Sequence, residues 1–223
     1  MLANNVANAS TGGYKCDREF YSLYVAPEAD SSPTSTMPVI QRPWTDFSPG
    51  LLSSTRNPLD LALSGKGFFA VDGPSGPLYT RNGSFRLAKG GQLTTADGYT
   101  VRSTDGTSLT LQGSGPIQIA ADGTVTQDGV TVGQLQIADF TSTAGLVKQG
   151  SNYFQTADTS MVPLAAQGTS VEQGQLEASN AGTSESAVRL ISVMRQFEML
   201  QKAVSLGAEM NRQAVEQVAK VGS

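Results

Sequence analysis

The sequence predicts a mainly β fold with terminal α elements: an antiparallel β domain inserted between a short N-terminal helix and a long C-terminal coiled-coil-type helix. Asn-Gly and Asp-Gly dipeptides punctuate the middle of the chain, a short apolar helical pattern opens it, and a proline-free stretch of helix formers closes it. We expect residues 1–13 and 184–221 to form a terminal helical layer, 14–49 an extended connector, and 50–183 the β domain.

The chain opens with a stretch that has the pattern of a short amphipathic helix, "MLANNVANASTGGYK". Leu2 and Val6 are four residues apart and therefore share one helical face, and Gly12 and Gly13 predict the end of the helix. So short a helix is marginal in water. We therefore expect it to pack against another part of the chain.

Within the connector, residues 27–49 are rich in proline and serine, which disfavour a helix and interrupt the hydrogen bonding of a strand ladder. At its end we expect Trp44 and Phe47 to pack against the β domain. Cys16 is the only cysteine, so an internal disulfide is excluded, and we interpret it as a small packing residue.

Short strands and tight turns are predicted throughout the β domain. The dipeptides suited to hairpin turns are Asp72-Gly73, Asn82-Gly83, Asp97-Gly98, Asp105-Gly106, Asp122-Gly123 and Asp128-Gly129. Segments between them alternate apolar and polar residues, which gives a strand one apolar face. These segments are "LDLAL" (59–63), "SFRLA" (84–88), "SLTLQ" (108–112), "PIQIA" (116–120) and "GQLQIADF" (133–140).

The last forty or so residues predict one long helix with an apolar seam that repeats every seven residues. Thr183 or Ser184 is the expected N-cap, with Glu185 in the first turn. An apolar seam of this length typically marks an assembly surface, so we expect the two terminal helices to pair and to pack against other subunits. The predicted subunit-packing residues are Leu2, Val6, Leu190, Val193, Met194, Phe197, Leu200, Val204, Ala208, Val215 and Val218.

Composition argues against several classes of function. The net charge of -4 disfavours binding to nucleic acid, and the absence of histidine removes the commonest general base and metal ligand. We expect no catalytic residues, no metal, no cofactor and no small-molecule substrate. The alternative from another class is a β-fold carbohydrate-binding or carbohydrate-active protein using Asp60, Asp72 or Asp97, although no spacing among these carboxylates indicates an acid and base pair.

Five motifs, in order along the chain, resemble the axial proteins of the bacterial flagellar rod and hook. They are "LANNVANASTGGYK" (2–15), "NPLDLALSGKGFFAV" (57–71), "YTRNGSF" (79–85), "QGQLEASN" (173–180) and "MRQFEMLQKAV" (194–204). The second and third correspond to the β signature of that family. Its residues here are Asn57, Pro58, Leu59, Asp60, Gly65, Gly67, Phe68, Phe69, Tyr79, Thr80, Arg81, Gly83 and Phe85.

The resemblance implies a structural subunit without catalytic activity, which polymerises through its terminal helices into the hollow periplasmic drive shaft of the flagellar basal body. Its implied partners are copies of itself, other rod and hook axial proteins, and the flagellar export apparatus, through which it is exported to the periplasm without a cleaved signal peptide. The short connector is most similar to the proximal rod branch of the family, with a distal rod or hook-type subunit as the alternative. Family members normally begin earlier, with an apolar helix that continues into the "LANNVAN" segment.

Overall fold

The computed structural model describes residues 1–25, 36–112, 115–150, 152–158 and 161–221, and for 20–25, 36–42, 183–184 and 214–221 it describes the backbone alone. It confirms the predicted fold class. Antiparallel β structure lies between a short helix α1 (Leu2–Ala7) and a long helix α2 (Thr183–Val221).

Helix α1 ends earlier than the glycines predicted. Asn8 closes it by donating from its backbone N–H and from its side-chain Nδ2 to the Asn4 carbonyl, at 3.0 and 2.9 Å. The expectation that Gly12 and Gly13 stop the helix was therefore wrong. Gly13 has another role: its φ is 66°, and a Cβ at this position would overlap the backbone of Arg81.

The stretch expected as a connector contains an antiparallel hairpin, formed by β1 (Asp17–Val25) and β2 (Thr36–Thr45). The expectation that proline would interrupt a ladder here was wrong. Among the described residues, β1 and β2 pair only with each other, and an edge strand can direct a proline nitrogen away from its neighbour. Residues 26–35, also part of the predicted connector, lie outside the described residues.

The β domain contains several antiparallel sheets. Its strands are β3 (Leu52–Ser54), β4 (Leu61–Ser64), β5 (Phe68–Gly73), β6 (Gly76–Thr80), β7 (Phe85–Leu87), β8 (Leu93–Thr95), β9 (Thr100–Val101), β10 (Ile117–Ile119), β11 (Thr124–Gln127), β12 (Val130–Gln134), β13 (Ile137–Asp139), β14 (Leu146–Gln149), β15 (Tyr153–Thr156), β16 (Leu164–Ala165), β17 (Ser170–Gln173) and β18 (Gln175–Glu177). A 3₁₀ turn, Thr143–Gly145, precedes β14. In the described part of the domain the largest sheet has the order β14-β15-β6-β5-β9-β8-β7, with β13 joining β5 to β16, and the others are β10-β11-β12, β17-β4 and β18-β3.

Strand β5 separates two apolar cores. Successive side chains of a strand point to opposite faces, so Phe69 enters one core with Phe85, and Phe68 enters the other with Phe140 and Phe154. Phe47 packs on the second core, with its ring centroid 5.6 Å from that of Phe68, as predicted. Trp44 does not pack as predicted: 49% of it is exposed.

The predicted turns were partly right. Asp128 and Gly129 have φ of 52° and 79° and connect β11 to β12, which fits the hairpin turn expected of an Asp-Gly pair. Asp72 and Gly73 instead belong to the β5–β6 ladder, where Gly73 pairs with Gly76. The segment 108–112 was predicted as a strand but forms only isolated bridges, although its apolar residues are buried.

Helix α2 begins at Thr183, where the Gly182 carbonyl accepts from the Ser186 backbone N–H at 2.9 Å. Gly182 therefore takes the capping position that was predicted for Thr183 or Ser184. The start of α2 adjoins α1, with Leu2, Ser186 and others lining one cleft. Among the described residues, no helix combines the length and apolar character needed to cross a membrane.

Candidate assembly surface

The seam of α2 is exposed along its described length. Phe197, Leu200 and Val204 are 59%, 65% and 72% exposed, and together with Gln201, Ser205 and Ala208 they line a shallow apolar groove. Val193, Met194 and Ala208 are exposed as well. An apolar face this long on one chain is typical of a surface that another protein covers.

Three predicted packing residues, Leu2, Val6 and Leu190, are half-buried, and Leu2 lines the cleft between the two helices. The structure does not bring Leu2 or Val6 against the exposed seam, because α1 reaches only the first turns of α2. The side chains of Val215 and Val218 lie outside the described residues. The packing role of the whole predicted set remains a prediction.

A second apolar face of α2 was missing from the predicted set. At about 100° per residue it lies on the side of the helix opposite Phe197. The helical spacing of its members could have revealed this face, but they do not belong to the single apolar seam that repeats every seven residues. The exposed members of this second face are Val188, Ile191, Met199, Leu206 and Met210.

Below the helices, the first motif of the sequence is docked on the β domain through polar side chains. The fully buried Tyr14 donates its hydroxyl to Asn5 Oδ1 at 3.0 Å, and Asn5 Nδ2 donates to the Asp17 carbonyl at 2.8 Å. Burial, with a further contribution from the charge of Asp17, raises the pKa of Tyr14 to about 12. Lys148 Nζ lies 4.4 Å from the centre of the Tyr14 ring and donates to the Lys15 carbonyl at 2.8 Å.

An ion cluster lies beneath this motif. Glu177 is 1% exposed and Lys15 is fully buried, and Lys15 Nζ lies 2.6 Å from Glu177 Oε1. Arg81 Nη1 lies 3.2 Å from Glu177 Oε2. The backbone N–H of Gly50 donates to Glu177 Oε1, and the Ser48 carbonyl accepts from Lys15 Nζ. Burial lowers the pKa of Lys15, and the charge of Glu177 opposes that shift.

Sequence reasoning included Arg81 in the β signature but gave no role to Lys15 or Glu177. Lys15 and Glu177 are 162 residues apart in sequence. No local spacing could therefore have paired them, and the only signal was the presence of a charged residue in each motif.

The residues of the β signature mostly support packing. Phe68, Phe69, Tyr79, Thr80 and Phe85 are buried, as are Asp60, Gly67, Arg81 and Gly83. Leu59 is half-buried, whereas Asn57, Pro58 and Gly65 are exposed. Arg81 lies 5.5 Å from the centre of the Phe68 ring, so it links the ion cluster to the second core.

The carboxylates of the carbohydrate alternative have separate surroundings. Asp72 lies 3.2 Å from Arg102, Asp97 accepts from the Tyr153 hydroxyl at 2.6 Å, and Asp60 is buried. Among the described residues, no group of three or more acidic or cysteine side chains could hold a metal ion.

Comparison with known proteins gives two family matches. Residues 62–135 match the flagellar hook protein FlgE/F/G D1 domain, and residues 172–217 match the C-terminal region of the flagellar basal body rod FlgEFG proteins. The second match contains Glu177 and most of α2. Both matches favour the flagellar interpretation and not the carbohydrate alternative.

Individual relatives extend the likeness over nearly the whole chain. The flagellar basal-body rod protein FlgF of Caulobacter vibrioides is 31% identical, covering 99% of this chain and 91% of the relative. The rod protein FlgG of the same species is 34% identical, with coverage of 94% and 89%. FlgG of Buchnera aphidicola from Acyrthosiphon pisum is 32% identical, with coverage of 94% and 90%.

Proposed function

Because the chain belongs to the family of flagellar rod and hook proteins and is a structural subunit of the flagellar basal-body rod, we propose that it polymerises through its terminal helices. The observation that carries this proposal is the long exposed apolar seam of α2. No other described part of the chain covers that seam. In the polymer, helices of neighbouring subunits cover it and together line a hollow shaft.

The geometry of the contact decides the shape of the polymer. A subunit that uses one face of α2 and one different face of its neighbour forms heterologous contacts, which produce a helical filament when they do not close into a ring. The seam around Phe197 and the opposite face around Leu206 give α2 two such faces. Burial of these side chains supplies the stability of the shaft.

We place the β domain outside the helical layer, where it resists twisting when the shaft transmits torque. Its support is the pair of cores on either side of β5, which are joined to the helices through the ion cluster. Close-packed cores of this kind deform little under load. Partners in the polymer are further copies of this chain and the other rod and hook axial proteins.

Several finer points belong to the same proposal. The subunit has no catalytic activity, passes through the flagellar export apparatus and assembles in the periplasm. It is the proximal rod component. Relatives named FlgF and FlgG have similar identity to this chain, so identity does not decide between the proximal and the distal assignment. The test is to express this chain separately in a strain that lacks FlgF and in a strain that lacks FlgG, and to measure which strain regains motility.

Replacement of Phe197 with aspartate tests the seam. Phe197→Asp places a charge in the apolar groove, so the variant should be absent from isolated basal bodies and the cells should not swim. Gln196→Asp adds the same charge at the adjacent exposed position and should leave assembly normal. The β domain should keep its circular dichroism spectrum in both. Normal motility with Phe197→Asp would refute the role of the seam.

A further inference from the structure

The segment before α2 is fastened to the N-terminal segment by backbone hydrogen bonds. The Gly13 N–H donates to the Glu177 carbonyl at 2.7 Å, and the Asn180 N–H donates to the Tyr14 carbonyl at 3.2 Å. The Cys16 N–H donates to Asn180 Oδ1 at 2.7 Å. Residues from the two ends of the chain therefore lie side by side for several residues.

The start of α2 packs on the rest of the chain at this junction. Ala181 is buried with Tyr14 and Cys16 in a small apolar cluster, and α2 begins at Thr183. After Leu190, all but one of the α2 residues whose side chains are described are exposed, Gly207 being half-buried. The packing that orients α2 on the β domain is thus concentrated next to the N-terminal segment.

The ion cluster consists of the Arg81–Glu177 pair, which is held by the β domain, and the charge of Lys15, which comes from the N-terminal segment. Arg81 is held by the β domain itself, because it donates to the Leu63 and Gly65 carbonyls as well as to Glu177. The Arg81–Glu177 pair is therefore balanced without the N-terminal segment. Lys15 arrives with that segment and donates to Glu177 Oε1, beside the Gly50 N–H, and Lys15 is fully buried there.

We propose that Lys15 and Glu177 form a clasp through which docking of the N-terminal segment sets the direction of α2. When the clasp is open, the segment from 177 to 181 loses its hydrogen bonds to Gly13, Tyr14 and Cys16. It keeps those that join Ala178 and Asn180 to residues 46–51, so the start of α2 is held from one side and the helix can swing relative to the β domain. Coupling of this kind is reciprocal, so a fixed α2 also favours docking of the N-terminal segment. One consequence alone rests on the proposed function: in the rod, a subunit is incorporated with its N-terminal segment docked and the direction of α2 fixed.

The chain contains its own reporter of the clasp. Cys16 is the single cysteine, is 6% exposed, and contacts the residues that the clasp holds. Because the thiol is nearly covered in the closed junction, we expect a disulfide reagent such as dithionitrobenzoate to react with it faster when the junction opens, so the labelling rate reports the open population.

Lys15→Met is the selective variant, because it removes the added charge and leaves the Arg81–Glu177 pair intact. We expect Cys16 to label at least about tenfold faster in this variant, within the range of typical coupling between sites. The matched control is Lys89→Met, which removes an exposed lysine and should label like the original chain. Urea unfolding of the β domain should have nearly the same midpoint in both variants.

A distance measurement tests the direction of α2 itself. Spin labels at Ser75→Cys in the β domain and Gln213→Cys in α2, in a Cys16→Ala background, should give a narrow distance distribution that Lys15→Met broadens. Gly13→Ala should broaden it too, because a Cβ there overlaps the Arg81 backbone and blocks docking without changing any charge.

Three results would overturn the clasp: an unchanged labelling rate, an unchanged distance distribution, or a Lys15→Met chain whose β domain no longer folds. Labelling that rises only in step with global unfolding counts against it equally. These measurements use the separate subunit. They therefore succeed or fail independently of the Phe197→Asp assembly test.

Discussion

Gly83 shows how one residue of the β signature is fixed by backbone packing. It follows Asn82 in a dipeptide typical of hairpin turns, yet its φ is not positive. A Cβ at Gly83 would overlap the carbonyl oxygen of Leu61, whose own N–H donates to the Gly83 carbonyl at 3.0 Å. The position requires glycine because two backbone segments touch, and a side chain has no room between them.

Gly83→Ala should therefore destabilise the β domain by about 3 kcal/mol, since neither backbone segment can move without disturbing the core around Phe69. Gly90→Ala is the control, because a Cβ at Gly90 meets nothing within 4 Å and its φ is also not positive. Urea unfolding followed by circular dichroism measures both. Similar midpoints for the two variants would show that the contact at Gly83 relaxes easily.

Residue patterns predicted those features that depend on neighbours in sequence. Asp128-Gly129 was found because its turn needs only those two residues. The close approaches at Gly13 and Gly83 depend on segments far away in the chain, as does the pairing of Lys15 with Glu177. The sequence contains these residues but does not show which distant segments they contact.

At the scale of elements, periodicity predicted α2 to within one residue at its start. The hairpin of β1 and β2 was missed, because the proline-rich stretch that includes β2 was predicted as an extended connector, although edge strands accept proline. Periodicity was half right for 108–112, whose alternation reflects burial of Leu109 and Leu111 without a continuous ladder. The pattern of burial is thus easier to predict than the pattern of hydrogen bonds.

The two apolar faces of α2 lead to an expectation for the face that the seven-residue repeat missed. Leu206→Asp should reduce incorporation into basal bodies as strongly as Phe197→Asp, because a helix lining a tube has a neighbour on each side. Gln196→Asp serves again as the charge control. Normal incorporation of Leu206→Asp, measured in purified basal bodies, would show that this face does not contact a neighbour.

In the whole molecule, a helix of 39 residues extends from a β domain to which it is attached at one end. At 1.5 Å per residue it is roughly 60 Å long, which exceeds the width of a small domain. Among its described side chains, only those near its start pack against other elements, so its stability in the separate subunit depends on its own hydrogen bonds. The β domain, by contrast, has two cores and the buried ion cluster.

Limited trypsin digestion of the subunit should therefore cut first in α2, at Arg195 and Lys202, because uncovered helices open locally at low cost. Lys15 and Arg81, which are buried, should be cut last. Mass spectrometry of the fragments identifies the order. In assembled rods the α2 sites should be protected, and early cleavage at Lys15 would contradict the docking of the N-terminal segment.

Residues 13–16 and 177–180 run side by side, so the β domain is inserted into the chain between two points that lie next to each other. The chain enters the β domain after α1 and leaves it before α2 at the same place, so the length of what lies between need not alter the path of the two helices. In the proposed shaft, an insertion at a surface turn such as Pro74-Ser75 enlarges the β domain on the outer surface and leaves the diameter of the inner channel unchanged. The outer diameter and the inner channel of such a tube are thus free to diversify separately.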